Sequence, residues 1–126
     1  MEGALVDPGG EPERLLAQVQ QLGVNLRMIV LTHGHLDHVY SVTPVCGGDT
    51  AAYIHADDRY RLQDPLAMIG PAMLAMMEQE FGQRATWRSP DRVVEVTDRQ
   101  QLMLAGLPIE VLHAPGHTEG SVMFDI

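Results

Sequence analysis

Thr32-His33-Gly34-His35-Leu36-Asp37-His38 places three imidazoles and a carboxylate directly after the apolar run Arg27-Met28-Ile29-Val30-Leu31. That run reads as a buried strand, so the polar residues gather at a strand end where the chain must bend. Residues two apart on an extended segment point the same way, which lets His33 and His35 meet one cation while Leu36 turns back into the scaffold. Asp37 and His38, neighbours on the bend, face a second position close to the first. Imidazole and carboxylate are the usual ligands of zinc and other borderline divalent ions. A catalytic ion takes about three protein ligands and keeps one position open, so a third ligand is needed beside His33 and His35. The candidate is His117, on the second polar loop His113-Ala114-Pro115-Gly116-His117-Thr118-Glu119-Gly120, where Pro115 and Gly116 shape a tight backbone approach.

Three further residues are weighed against these. His113 closes the apolar pattern Leu107–Leu112 and reads as a packed residue or as a support for a ligand. His55, before Ala56-Asp57-Asp58, reads as a surface residue at a helix start. Asp7 ends another strand, where it serves either as a turn cap or as the partner that fixes the tautomer of a ligating histidine.

Outward from the two loops the chain alternates strand and helix. Ala4-Leu5-Val6 is a short strand closed by Asp7-Pro8-Gly9-Gly10. Pro12 suits a first helical position, and Leu15, Val19 and Leu22 share a face, which predicts a helix over 12–22 stopped at Gly23. Strand, helix, strand is an α/β order. A short helix is expected after His38, up to Pro44 and ended by Gly47-Gly48. A strand is expected over Thr50–Ile54 and a helical turn over Ala56–Leu62. From Gly70-Pro71 a helix runs to Phe81 with Met73, Met77 and Phe81 in one stripe. Ordinary core packing is the leading reading of that stripe, and a flexible apolar wall over a substrate is its rival. Short strands follow at Val93–Val96, Gln101–Leu104 and Leu107–Leu112, with Pro108 tolerable only near a strand start or at an edge. A last strand pattern, Val122, Phe124 and Ile126, reaches the end of the chain, so more sequence is expected beyond it.

With 126 residues the chain holds one domain, 1–126. Eight basic and 17 acidic residues leave a formal charge of −9, and no basic patch is present, which argues against a nucleic-acid partner. A single cysteine, Cys46, excludes an internal disulfide framework. No apolar run reaches the roughly 20 residues that span a bilayer, and no signal-peptide pattern opens the chain. The expectation is a cytoplasmic protein acting on a small molecule, without membrane or nucleic acid, its oligomeric state unspecified.

Thr-His-x-His-x-Asp-His after an apolar strand, followed at a distance by Pro-Gly-His-Thr, resembles the metallo-β-lactamase fold superfamily. The likeness is greatest to its glyoxalase II-like (hydroxyacylglutathione hydrolase-like) branch. The resemblance implies an αββα sandwich, α/β in class, of which 1–126 is an incomplete, C-terminally truncated part. It implies that His33, His35 and His117 hold a first metal and that Asp37 and His38 begin a second site, with Asp37 also orienting the nucleophile. In the family a later aspartate bridges the ions and a later histidine completes the second. No histidine follows His117 here, and Asp125 is not given the bridging role. Tyr40-Ser41, Ala114 and Glu119 depart from residues common in the family. The implied cofactor is zinc, two ions in a complete site, with iron or manganese as alternatives. The implied reaction is attack of a metal-activated water on a thioester or related carbonyl. Two rivals stand beside it: a mononuclear iron enzyme oxidising a sulfur substrate, and a truncated domain that binds metal without catalysis.

Overall fold

In a computed structural model, residues 2–46, 50–81 and 87–126 are described, the side chains of residues 67, 68 and 81 excepted. Strands β1 (Glu2–Val6), β2 (Asn25–Val30), β3 (Ala51–His55) and β4 (Val93–Val96) form a sheet in that order. All of its pairs are parallel. Strands β5 (Gln101–Leu104), β6 (Leu107–His113) and β7 (Val122–Asp125) form an antiparallel sheet. Helix α1 (Pro12–Leu22) crosses from β1 to β2. The short helices α2 (Leu36–Val39) and α3 (Val42–Val45) lead to β3, and a 3-10 turn (Ala56–Leu62) and α4 (Pro71–Phe81) lead to β4. Parallel neighbours require such crossovers, and the alternation read from the sequence follows from that constraint.

Two clusters of apolar residues define the layers. Ile29 of β2 and Leu31 just after it, Ala52 and Ile54 of β3, and Val39, Val42 and Val45 of the short helices bury together, with Leu15 of α1 packed on them. Val96, Val111 and Val122 bury with Tyr53, Leu102 and Phe124, which brings the two sheets face to face. Alternate residues of β3 thus serve opposite faces, Ala52 and Ile54 towards the helices and Tyr53 towards the second sheet, as period two requires. The described layers run helix, sheet, sheet.

Local chemistry sets the boundaries. Pro12 stands in the first turn of α1, and Gly23 ends it at φ 67° while its N–H and that of Val24 cap the carbonyls of Gln20 and Val19. Pro108 is the second residue of β6, before the pairing with β7 starts at Glu110, so its missing N–H removes no bond on that side. The helix expected after His38 is two short helices broken at Tyr40-Ser41, and β3 lies one residue later than expected, at 51–55. The expected stop at Gly47-Gly48 lies outside the described residues.

The methionine stripe needs correction. No residue of α4 is buried among those described, and Met73 is 53% exposed. Met73 and Met77 line a cavity instead of filling the core, because α4 lies over an opening between loops; the side chain of Phe81 is outside the described set.

Candidate metal centre

β2 ends at Val30, and the chain leaves the sheet through Leu31 and Thr32. Asp7, at the end of the neighbouring β1, anchors that exit. Its Oδ1 accepts the Thr32 N–H at 2.7 Å and its Oδ2 accepts the Thr32 hydroxyl at 2.5 Å. Thr32 has one hydroxyl proton and spends it on Asp7, so at 2.9 Å its oxygen must accept from His33 Nδ1–H. His33 is thereby held with its proton on Nδ1 and a lone pair on Nε2. That Nε2 is buried and has no hydrogen-bond partner. His38 Nδ1–H donates to the same Asp7 Oδ2 at 3.1 Å, and His38 Nε2 lies 3.6 Å from an oxygen of Asp37.

The third imidazole arrives from the other sheet. The loop after β6 carries His117, whose Nε2 lies 3.1 Å from His35 Nδ1. The ring of His33 is centred 5.0 Å from that of His35 and 4.8 Å from that of His117, both edge to face. One nitrogen from each of the three rings falls within 4.8 Å of the others. Val122 of β7 binds the two sheets at this edge, its N–H donating to the Thr32 carbonyl at 2.8 Å. His33 is buried, His35 half-buried and His117 exposed, so the cluster is open to solvent at His117.

Electrostatics favour the neutral forms of His33 and His35. Burial pushes His33 below the ordinary imidazole range, and the neighbouring His38 adds to it. Burial also lowers His35, helped by His117 and Arg61. Neutral imidazole is the ligating form. A ring with an unpartnered buried nitrogen, close to two other imidazoles of suitable softness, fits a divalent cation.

Asp37 and His38 sit on α2, where Asp37 is largely exposed. Asp37 joins no group of three such donors among the described residues, whereas Asp7, His33 and His38 do form one. The bonds within that group already occupy Asp7 Oδ2, His33 Nδ1 and His38 Nδ1, so it acts as the brace of the ligands. Beside the cluster lies a cavity of about 580 Å³ whose walls include His35, Asp37, Tyr40, Arg61, Ile69, Met73 and Met77.

His55 corrects the surface reading. It is only 6% exposed and stacks on His113, centroids 4.0 Å apart and planes within 14°. Its Nδ1 accepts the Asp57 N–H at 3.0 Å, so it caps the 3-10 turn from inside. His113 Nε2–H donates to the Glu119 carbonyl at 2.8 Å, bracing the loop of His117 without bonding a ring of the cluster. His55, Asp57 and His113 form a third close group, yet stacked rings hold their lone pairs in parallel planes that do not converge on one cation. Apolar periodicity gave no sign of this pair, since β3 and β6 belong to different sheets. Asp58 was also missed: it is fully buried and bonds both ligand loops. Its position after Asp57 in a polar turn hides that role.

Residues 2–126 match the family model of the metallo-beta-lactamase superfamily, and the chain belongs to that superfamily. It is 34% identical to the hydroxyacylglutathione hydrolase GloC of Haemophilus influenzae, over 96% of this chain and 54% of GloC. Among solved structures it is similar to the BLEG-1 B3 metallo-beta-lactamase, with TM-score 0.73, 29% identity, and 98% of this chain and 56% of that one covered. It is also similar to TTHA1623 in a di-iron-bound form, with TM-score 0.70, 32% identity, and coverage of 94% and 54%. The chain spans about half the length of the curated relatives it matches. Among the described residues no helix is long and apolar enough to cross a membrane.

Proposed function

We propose that the protein is a metal-dependent hydrolase, with a thioester of a small molecule as its substrate. The observation that carries this reading is the meeting of one ring nitrogen each from His33, His35 and His117, beside a cavity that His35 lines, with the buried Nε2 of His33 left without a hydrogen-bond partner. When bound, a divalent ion such as zinc supplies Lewis acidity, making water acidic enough to act as a nucleophile near neutral pH and stabilising charge on a carbonyl oxygen. The residues of the chain do the rest. His33, His35 and His117 hold the ion, with Asp7 fixing the tautomer of His33 through Thr32. Asp37, exposed at the cavity beside His35, orients the water and accepts its proton. Met73, Met77 and Ile69 give the acyl group an apolar wall and keep bulk water from one side. A thiolate leaves readily because a thiol has a pKa of about 8.5, so a strong general acid is unnecessary. The likeness to GloC supports the thioester class, and the cytoplasm is the compartment we assign to it.

The test compares thioester turnover by the full protein, loaded with zinc, with that of its His35→Ala form. Turnover that collapses in the variant is expected, and equal rates overturn the assignment. The relative solved with two irons supports iron as an alternative metal; the second reading is a mononuclear iron enzyme in which dioxygen oxidises a sulfur substrate. Elemental analysis showing stoichiometric iron, together with oxygen consumption on a persulfide, would select it. A metal-binding domain without catalysis is the remaining alternative; Asp37 joins no group of three ligand-type side chains among the described residues. Two bound ions with full turnover would remove it.

A further inference from the structure

Asp58 joins the two loops that bring the histidines together. It sits in the 3-10 turn Ala56–Leu62 with its side chain fully buried. Its Oδ2 accepts the Gly34 N–H at 2.8 Å and the Thr118 hydroxyl at 2.7 Å, and its Oδ1 accepts the Gly120 N–H at 2.8 Å. Gly34 lies between His33 and His35, and Thr118 follows His117. A single carboxylate therefore grips both ligand loops, which are more than 80 residues apart in sequence.

Packing leaves no slack at this point. A Cβ on Gly34 would stand 2.6 Å from the Arg61 Cβ, and one on Gly120 would stand 2.6 Å from the Asp58 nitrogen. The charge is balanced in place, since Arg61 Nε lies 3.4 Å from Asp58 Oδ1. A buried carboxylate without such partners would be costly, whereas with three donors and a guanidinium it is rigid. The same turn reaches the His117 loop again at its rim, where Glu119 accepts from the Tyr60 hydroxyl at 2.8 Å and from Arg61 Nη2 at 3.1 Å. These outer bonds are exposed and contribute little by comparison.

We propose that Asp58 is the positioning residue of the metal centre: by tying Gly34 to Thr118 and Gly120 it sets the separation of His35 and His117, and with it the affinity for the cation. The proposal rests on the reading of these histidines as metal ligands, not on the choice of substrate. Partners that orient ligands typically change metal affinity by about 10–100-fold when removed.

The experiment measures zinc affinity of the full protein by competition with a chromophoric chelator, and the visible spectrum of the cobalt-loaded form. Asp58→Asn, Thr118→Val and Glu119→Gln are compared with wild type at a temperature where the circular dichroism of each apo form shows a folded chain. Asp58→Asn is expected to weaken zinc by about 10–100-fold and to change the cobalt bands. Thr118→Val removes one bond to Asp58 and is expected to weaken zinc by about 3–10-fold. Glu119→Gln is expected to stay within about threefold, as an exposed contact. If Asp58→Asn does not fold, Thr118→Val decides alone. Variants that lose thermal stability yet keep wild-type zinc affinity and cobalt spectra overturn the proposal. Wild-type protein that binds neither ion overturns the metal reading itself, a result readily told apart from the first.

Discussion

Replacing Asp7 by Asn tests how the ligand histidines are oriented. Asp7 adopts φ 47°, a left-handed conformation that Asn tolerates, so the backbone can stay in place. The carboxylate accepts three donors: the Thr32 N–H on one oxygen, and the Thr32 hydroxyl and His38 Nδ1–H on the other. An amide has only one oxygen, so one side must fail. If the amide oxygen keeps the doubly bonded position, its NH2 group meets the Thr32 N–H and a part-buried donor loses its acceptor. If it takes the other position, the Thr32 hydroxyl must accept from the NH2 group and turn its proton towards His33 Nδ1. His33 then carries its proton on Nε2, the atom that should face the cation, and His38 loses its acceptor as well. Either outcome leaves at least one donor unsatisfied, at about 1–3 kcal/mol in the stability of the apo protein. Zinc affinity should fall by about 10–100-fold, through the wrong His33 tautomer in the second arrangement and through displacement of the Thr32 backbone beside His33 in the first. Urea denaturation measures the first effect, and chelator competition at pH 7.5 measures the second. Zinc affinity equal to wild type would falsify the claim that Asp7, through Thr32, positions His33 for the cation.

Four further outcomes are expected. Gly34→Ala should destabilise the fold by about 1–3 kcal/mol, because the new methyl meets the Arg61 Cβ at 2.6 Å; an unchanged urea midpoint would contradict the tight approach. Acidification should weaken the apo protein as pH falls through 6.5. His33 and His35 are lowered from that value in the folded state, so below it the unfolded chain binds more protons. Urea midpoints at pH 7.5, 6.5 and 5.5 check the sign, and a midpoint that rises on acidification refutes it. The Cys46 thiol, pushed up to about 11 chiefly by burial, should react slowly with Ellman's reagent at pH 8 and rapidly once the chain is unfolded. Met77→Ala should raise KM for long-chain acyl thioesters more than for acetyl ones, if the α4 wall holds the acyl group; equal effects on both would argue against it.

Periodicity carries information about single elements, and here it was informative. Pro12 and Gly23 bracket α1, and short apolar runs mark the strands of both sheets. The αββα expectation and the superfamily follow from two short motifs in the right order, and the family match extends over residues 2–126. The stripe on α4 shows where pattern fails. Four-residue spacing says which side chains share a face, not what that face meets, and Met73 and Met77 meet a cavity. His55 shows the same failure from the other direction. A polar residue before two aspartates looks solvated until a strand of the second sheet brings His113 to stack on it.

The ligand types and their local order were written in the chain: His33 and His35 at one strand end, Asp37 and His38 on the next turn, His117 on a distant loop. Chemistry of that kind is a property of residue identity and short spacing, and it survives without coordinates. Which nitrogen each ring presents, and how far apart the rings stand, came only with the tertiary structure. Those quantities depend on Asp7 reaching across from β1 to Thr32 and His38, and on Asp58 bonding Gly34 and Thr118 at once. Hydrogen bonds between residues 24 to 60 positions apart leave no periodic trace in a sequence, because packing of the whole chain, not local preference, brings their partners within reach.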